Sequence, residues 1–334
     1  MKLNKLFAVG MAAMMTMSMA ACGAATVDGQ KSTTQAAAET TAAAASEAAS
    51  EASKESGAAV SGSIGLSVST LNNPFFVTLE EGAEAKAKEL GVELVSVDAG
   101  DDSAKQASDI EDLISKKVSV LIVNPVDSDA VAPAVKDAIA AGIKVIAVDR
   151  VVNGVDVDCS IASDNVAGAE SATKFLTELV GKDAKVAELQ GTPGASAAID
   201  RGTGFHNIAD KNLKVVSSQT GNFNRSEGMT VMENMLQADA EIKGVFAAND
   251  EMALGAIEAI GDKDIAVVGF DATDDALKSI QDGKMKATIA QQPDLMGATA
   301  VDTAAKLMNG ETVEKSIPVE VTLVSKDNVS SYIK

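Results

Sequence analysis

Tryptophan is absent from this chain, tyrosine and histidine occur once each, and cysteine occurs twice. Aromatic residues make up 3%, so eight phenylalanines carry nearly all the aromatic surface and their placement is informative. Basic side chains are also scarce: 28 Lys and Arg stand against 48 Asp and Glu, for a net charge of −20. Such a surface repels a phosphate backbone, which argues against nucleic acid as a partner and against adsorption on anionic lipid. Long apolar runs are missing too. The longest, Leu6 to Ala21, falls short of the roughly 20 residues a membrane span needs. At 46% hydrophobic there is ample material for a core, and the length allows one or two domains of about 100–200 residues.

The first residues have the pattern of an export signal. Lys2 and Lys5 form a positive end, the Met- and Ala-rich run follows, and Ala20-Ala21 precede Cys22. Small residues before a cysteine resemble a bacterial lipobox, with Met19 where that pattern usually has Leu. The resemblance implies a signal over 1–21 and Cys22 as the lipidated first residue of the mature chain, the sole membrane attachment expected. The alternative is ordinary cleavage nearby, with Cys22 incidental. Residues 22–60 are Ala, Ser, Thr and Glu with almost no large apolar side chain, so they are expected to be a disordered tether. Such a tether reaches roughly 30–35 Å. With Cys22 committed to lipid, Cys159 and His206 are too few for a typical zinc site, and no intrachain disulfide, metal or cofactor is expected.

From Ser63 the pattern becomes regular. Strand-like runs begin near Ser63, Val92, Val118, Ile143, Lys185, Leu213, Gly244, Ile265 and Lys286, with helical stretches such as Ala104 to Lys116 and Ala167 to Val180 between them. Single helices between strands predict successive βαβ units and parallel sheets. Runs such as Val120-Leu121-Ile122-Val123 are apolar throughout, as strands covered on both faces are. One sheet rarely holds so many strands, so two α/β lobes are expected, with Cys159 to Asp164 a candidate crossing between them.

Chemistry concentrates where strands end. Ser69-Thr70-Leu71-Asn72-Asn73-Pro74-Phe75-Phe76 follows the first strand and opens a helix. It offers a hydroxyl, amides and two phenyl rings, which suit a small polar ligand with C–H-rich faces. The plainer alternative is an Asn-Pro turn followed by two core phenylalanines. Asn124-Pro125, Asp149-Arg150, Gln190-Gly191, Asn249-Asp250-Glu251 and Phe270-Asp271 end later strands. Singly these could be helix caps or a surface ion pair. Together they place polar and aromatic groups at the carboxyl ends of strands from both halves, where α/β folds bind ligands.

These same stretches, Gln190-Gly191 apart, with Ile161-Ala162-Ser163-Asp164-Asn165 and Ala287-Thr288-Ile289-Ala290-Gln291, closely resemble the D-ribose-binding proteins of bacterial ABC importers. The match runs from about Ser63 to about Val324. It implies a type 1 periplasmic binding protein: two Rossmann-like lobes with parallel sheets joined by a three-segment hinge. The N-terminal lobe is expected over 61–163 plus 291–320 and the C-terminal lobe over 164–290 plus 321–334. Carried over by position, Phe75, Phe76 and Phe223 sandwich the sugar ring. Ser69, Asn73, Asp149 and Arg150 bind hydroxyls from the first lobe; Arg201, Asn249, Asp271 and Gln291 bind them from the second lobe and hinge. Phe270 would pack against Asp271 and shape the pocket.

The resemblance implies capture of D-ribose outside the cell and delivery to an ABC permease, with a chemoreceptor as an open second partner. Another ligand (allose, galactose, a different pentose, a sugar-derived signal) is the alternative; the lack of Trp argues against hexose stacking on indole. A sugar-responsive transcription factor shares this body, but would need a basic helix-turn-helix where the signal and acidic tether stand. An enzyme is not expected. His206 has no nucleophile beside it in an obvious loop, and Gly191-Thr192-Pro193-Gly194 lacks the Lys-Ser/Thr of a phosphate loop.

Overall fold

The computed structural model describes residues 62–333, which belong to one compact unit. The signal segment, Cys22 and the tether lie outside the described residues. Among the described residues no helix is long and apolar enough to cross a membrane.

The first sheet is built from β1 (Ser63–Val68), β2 (Glu93–Asp98), β3 (Val120–Val123), β4 (Lys144–Val148) and β5 (Cys159–Ser163). Between them run α1 (Pro74–Leu90), α2 (Ser103–Ser115) and α3 (Ala132–Ala140). The chain then crosses to the second lobe: α4 (Asn165–Val180), β6 (Lys185–Gln190), α5 (Ser196–Asn212), β7 (Lys214–Thr220), α6 (Arg225–Ala238), β8 (Gly244–Ala247), α7 (Asp250–Ile260), β9 (Ala266–Val268), α8 (Asp274–Gln281) and β10 (Ala287–Ala290). It returns to pack α9 (Pro293–Met308) against α1 and to add β11 (Ser316–Val319), and crosses a third time to β12 (Thr322–Ser325). The sheet orders are β11-β5-β4-β3-β1-β2 and β12-β10-β9-β8-β6-β7. All strand pairs are parallel except β10 with β12. The protein is thus two α/β lobes with mostly parallel sheets, joined by three crossings.

The reason for two-sided apolar strands is visible in β3. Val120 and Ile122 join the core under α1 and α9, whereas Leu121 and Val123 join the one under α2 and α3. Successive side chains of a strand point to opposite faces, so a strand with helices on both sides must be apolar at every position. Cys159 to Ser163, expected as a crossing, is instead the fifth strand of the first sheet, and the crossing itself is confined to the step into α4. The alternation that hid it is its burial pattern, with Ser160 and Ala162 only half-buried.

Candidate functional site

The carboxyl ends of both sheets face one cleft. On the first lobe, Asn73 caps α1, its Oδ1 accepting from the Phe75 N–H at 2.9 Å, and Pro74 occupies the first helical turn. The cap and the helix start fix Phe75 and Phe76 at the mouth of α1, buried and edge-to-face with centroids 5.1 Å apart. Both readings of this stretch therefore hold: Asn73 is a cap and it also lines the cleft. With Oδ1 engaged, Nδ2 is the group Asn73 has to offer.

Asp149 and Arg150 follow β4. They are not a surface pair: their side chains are 3% and 4% exposed, with Arg150 Nε 3.6 Å from Asp149 Oδ2. Asn124, at the end of β3, donates to Asp149 Oδ2 and to the Val148 carbonyl, both at 3.2 Å, and accepts from the Ser69 N–H at 3.1 Å. Gln106 of α2 in turn donates to the Asn124 carbonyl at 2.9 Å and accepts from Val126 N–H at 2.8 Å. Arg150 Nη1 donates to the Pro125 carbonyl at 2.7 Å. Its guanidinium carbon lies 5.2 Å from the centre of the Phe76 ring and 5.6 Å from that of Phe223.

On the second lobe, Arg201 of α5 donates to Asn165 Oδ1 and to the Ala248 carbonyl, each at 2.8 Å. It lies 3.8 Å over the Phe270 ring and 3.5 Å from Asp271 Oδ1. Gln291, in the second crossing, donates to that Asp271 oxygen at 2.7 Å. Asn249 caps α7 through Met252 N–H at 3.0 Å and donates to the Phe223 carbonyl at 3.1 Å. Asp271 does not cap α8; Thr273 holds that position. Asp250, fully buried, accepts from Thr288 Oγ1 at 2.7 Å and Thr273 N–H at 2.9 Å.

These groups surround a small cavity, lined from the first lobe by Asn73, Phe75, Phe76, Asp149 and Arg150, and otherwise by Ala197, Arg201, Phe223, Asn249, Asp271 and Gln291. The cleft is shut on the side of α5. There Ser128 N–H donates to the Gly194 carbonyl at 3.0 Å, Ser196 N–H to Ser128 Oγ at 3.2 Å, and Val151 N–H to Ser196 Oγ at 3.0 Å.

Of the twelve residues expected at the site, two do not line the cavity. Phe270 lies beneath Arg201, so it shapes the site by holding a guanidinium rather than by meeting a ligand. Ser69 is fully buried; its backbone is held by Asn124 and its hydroxyl finds no hydrogen-bond partner. Three residues escaped sequence reasoning. Ala197 sits one helical turn before Arg201 on α5, a spacing that would have found it. Gln106 and Asn165 could not be found that way, because each reaches the site from a helix otherwise occupied with packing.

Burial dominates the electrostatics. It pushes Asp149 above the ordinary carboxylate range, opposed by Arg150 and Arg201 and by the Asn124 hydrogen bond. Burial likewise pushes Asp271 up to about 7, opposed by Arg201 and Gln291. Asp250 is driven well up by burial and by the charge of Asp271, while burial lowers Arg150. Asp149 Oδ1, Arg150 Nε and Gln291 Oε1 are buried with no hydrogen-bond partner in the protein, an arrangement that costs about 1–3 kcal/mol for each such atom. Asp149, Asn222, Phe223, Asp271 and Ala272 also hold positive φ without being glycine. Orphaned polar atoms and strained backbone gathered at one cavity mark a site built for a polar ligand.

The class these features define is the two-lobed periplasmic binding protein. Residues 64–312 match the periplasmic binding protein domain, and the chain belongs to that family. It is 53% identical over 263 residues to the ribose import binding protein RbsB of Bacillus subtilis (strain 168), covering 78% of this chain and 86% of that one. It is 46% identical over 273 residues to the protein of the same name from Escherichia coli (strain K12), covering 80% and 92%. Among solved structures, an ABC transporter periplasmic solute-binding protein from Actinobacillus succinogenes 130z with bound D-allose matches with a TM-score of 0.76 and 32% identity. That match covers 81% of this chain and 100% of the other.

Proposed function

We propose that this protein captures D-ribose outside the cell and delivers it to the permease of an ABC importer. The observation that carries this is the cavity itself: two carboxylates and two guanidiniums, with orphaned Asp149 Oδ1, Arg150 Nε and Gln291 Oε1, beside phenyl rings from both lobes. Carboxylates accept hydroxyl protons, guanidiniums donate to hydroxyl oxygens, and charge-assisted bonds are worth about 1.5–3 kcal/mol each. The rings cover the C–H surface of the sugar. The names borne by relatives at 46–53% identity support ribose as the sugar.

Half of the polar groups stand on each lobe, so their contacts to a sugar are complete only in the closed form. Ribose thus favours closure by its differential affinity, and the permease reads the closed shape. The lobes divide near residues 163, 290 and 320. Lipid on Cys22 holds the body to the outer face of the membrane. Detergent partitioning of the full chain tests the anchor: the wild type enters the detergent phase, and Cys22→Ser leaves it in water.

Calorimetric titration tests the ligand. The protein is unfolded and refolded to strip carried-over sugar, then titrated with ribose, allose, xylose, arabinose, galactose and glucose. Tight one-to-one binding of ribose, with the others far weaker, is expected. Heat with another sugar alone would move the specificity, and silence with all six would overturn the site reading.

A further inference from the structure

Phe223 borders two chambers, as do Asn73, Phe76 and Arg150. Its side chain lines the ligand cavity and also a second, larger chamber beside Asp101, Asn222 and Arg225. The ring lies against Gly191, the residue that follows β6. A methyl group on Gly191 would overlap the ring at Cζ and Cε1, and even Cε2 would stand only 2.6 Å from it. Gly191 does not have positive φ. Its backbone is open to any L-residue, so the glycine serves close approach rather than conformation.

We infer that Gly191 is a positioning residue for the ligand cavity: by lacking a side chain it lets Phe223 lie back and leaves room for a sugar. This rests on the reading of the cavity as a sugar site. Neither backbone can yield to relieve an added methyl. The Gly191 carbonyl accepts from Thr220 Oγ1 at 2.7 Å, and Gly221 N–H holds the neighbouring Gln190 carbonyl at 2.9 Å. On the other side, the Phe223 carbonyl accepts from Asn249 at 3.1 Å, Asn222 and Phe223 have φ of 52° and 58°, and Asn224 N–H closes the turn on Gly221 at 2.8 Å. The ring is what moves. Cζ lies on the Cβ–Cγ axis, so a flip about χ2 leaves the overlap in place and χ1 must rotate. Flanked by Arg150 at 5.6 Å and Arg201 at 5.8 Å, the ring is then displaced into the cavity. The added methyl therefore acts on the site through the Phe223 ring.

A double-mutant cycle on the full chain, read by calorimetry with ribose, tests this. Gly191→Ala alone is expected to weaken ribose binding at least about 30-fold, whereas the same change on a Phe223→Ala background costs less than about threefold, a coupling expected of residues in contact. Equal losses on both backgrounds, or wild-type affinity in Gly191→Ala, would overturn the inference. If Gly191→Ala alone fails to fold while Gly191→Ala/Phe223→Ala folds and binds like Phe223→Ala, the ring is still the cause; failure of both to fold makes the role merely structural and overturns it. A crystal structure of unliganded Gly191→Ala reads the ring directly, displaced if the inference holds and in place if it does not. Wild-type protein that binds no sugar would therefore count against the ribose reading alone.

Discussion

Arg150, carried by the first lobe, faces Phe223 of the second with its guanidinium carbon 5.6 Å from the ring centre. With Phe76 on the far side of Arg150, and Arg201 between Phe223 and Phe270, cations and rings alternate across the cleft. Each guanidinium is held in place before a ligand arrives, its face by a ring and its edge by backbone carbonyls. The order that a sugar would otherwise impose is largely present already, which lowers the cost of binding.

Removing Arg201 tests the assignment of the second lobe. Arg201→Ala leaves Asn165 Oδ1, the Ala248 carbonyl and Asp271 without their partner. A loss of about 2–4 kcal/mol in ribose affinity is expected, close to 30- to 1,000-fold. A calorimetric loss below about tenfold would show that the site lies elsewhere.

Closure is read at Ser196, which lines no part of the cavity but accepts from Val151 and donates through its N–H to Ser128. Ser196→Ala removes one hydrogen bond between the lobes, worth about 1 kcal/mol, and so speeds ribose release by about fivefold. Stopped-flow dissociation measures this. An unchanged release rate, with association slowed instead, would contradict a latch.

Asp271 gives the binding a pH dependence. Its carboxyl is raised from 3.8 to about 7 in the closed cleft by burial. Folding stability from this raised group is complete below 3.8 and is lost as pH rises through about 7, because only the ionised form suffers from burial. Sugar hydroxyls donating to the carboxylate favour that ionised form. Ribose affinity is therefore expected to rise between about pH 5 and pH 8, with proton release near neutrality. Titrations in buffers of different ionisation enthalpy count the protons; none released, and flat affinity, would contradict the assignment.

Asn124 supports the site without lining the cavity. It holds Ser69, Val148 and Asp149 from one side chain, and all four residues are buried. Asn124→Ala leaves buried partners unsatisfied, so a destabilisation of about 2–3 kcal/mol is expected together with weakened ribose binding. Thermal unfolding with and without ribose separates the two effects. Full stability in the variant would remove Asn124 from its supporting role.

Much of this was legible in the chain because it is encoded locally. Alternation, helical spacing and all-apolar strands follow from which faces an element must bury, and polar residues after each strand end fall at one edge of a parallel sheet. Resemblance to a known family then carried the roles of Phe75, Asp149, Arg150 and Arg201 to their positions. Strands β11 and β12 were not legible. Each has four residues at a sheet edge, β11 with a Pro inside, too short to show a period.

The sequence by itself determined the two-lobed α/β architecture and which strand ends carry polar groups, since burial on both faces writes itself into every residue of a strand. Only the tertiary structure decided which side chains meet. It turned Phe270 beneath Arg201, buried Ser69 behind Asn124, brought Gln106 and Asn165 to the site from neighbouring helices, and set Phe223 against Gly191. Those contacts join residues far apart in the chain, the nearest pair, Gln106 and Asn124, being 18 positions apart. They depend on the order of strands in a sheet and on the closure of one lobe on the other.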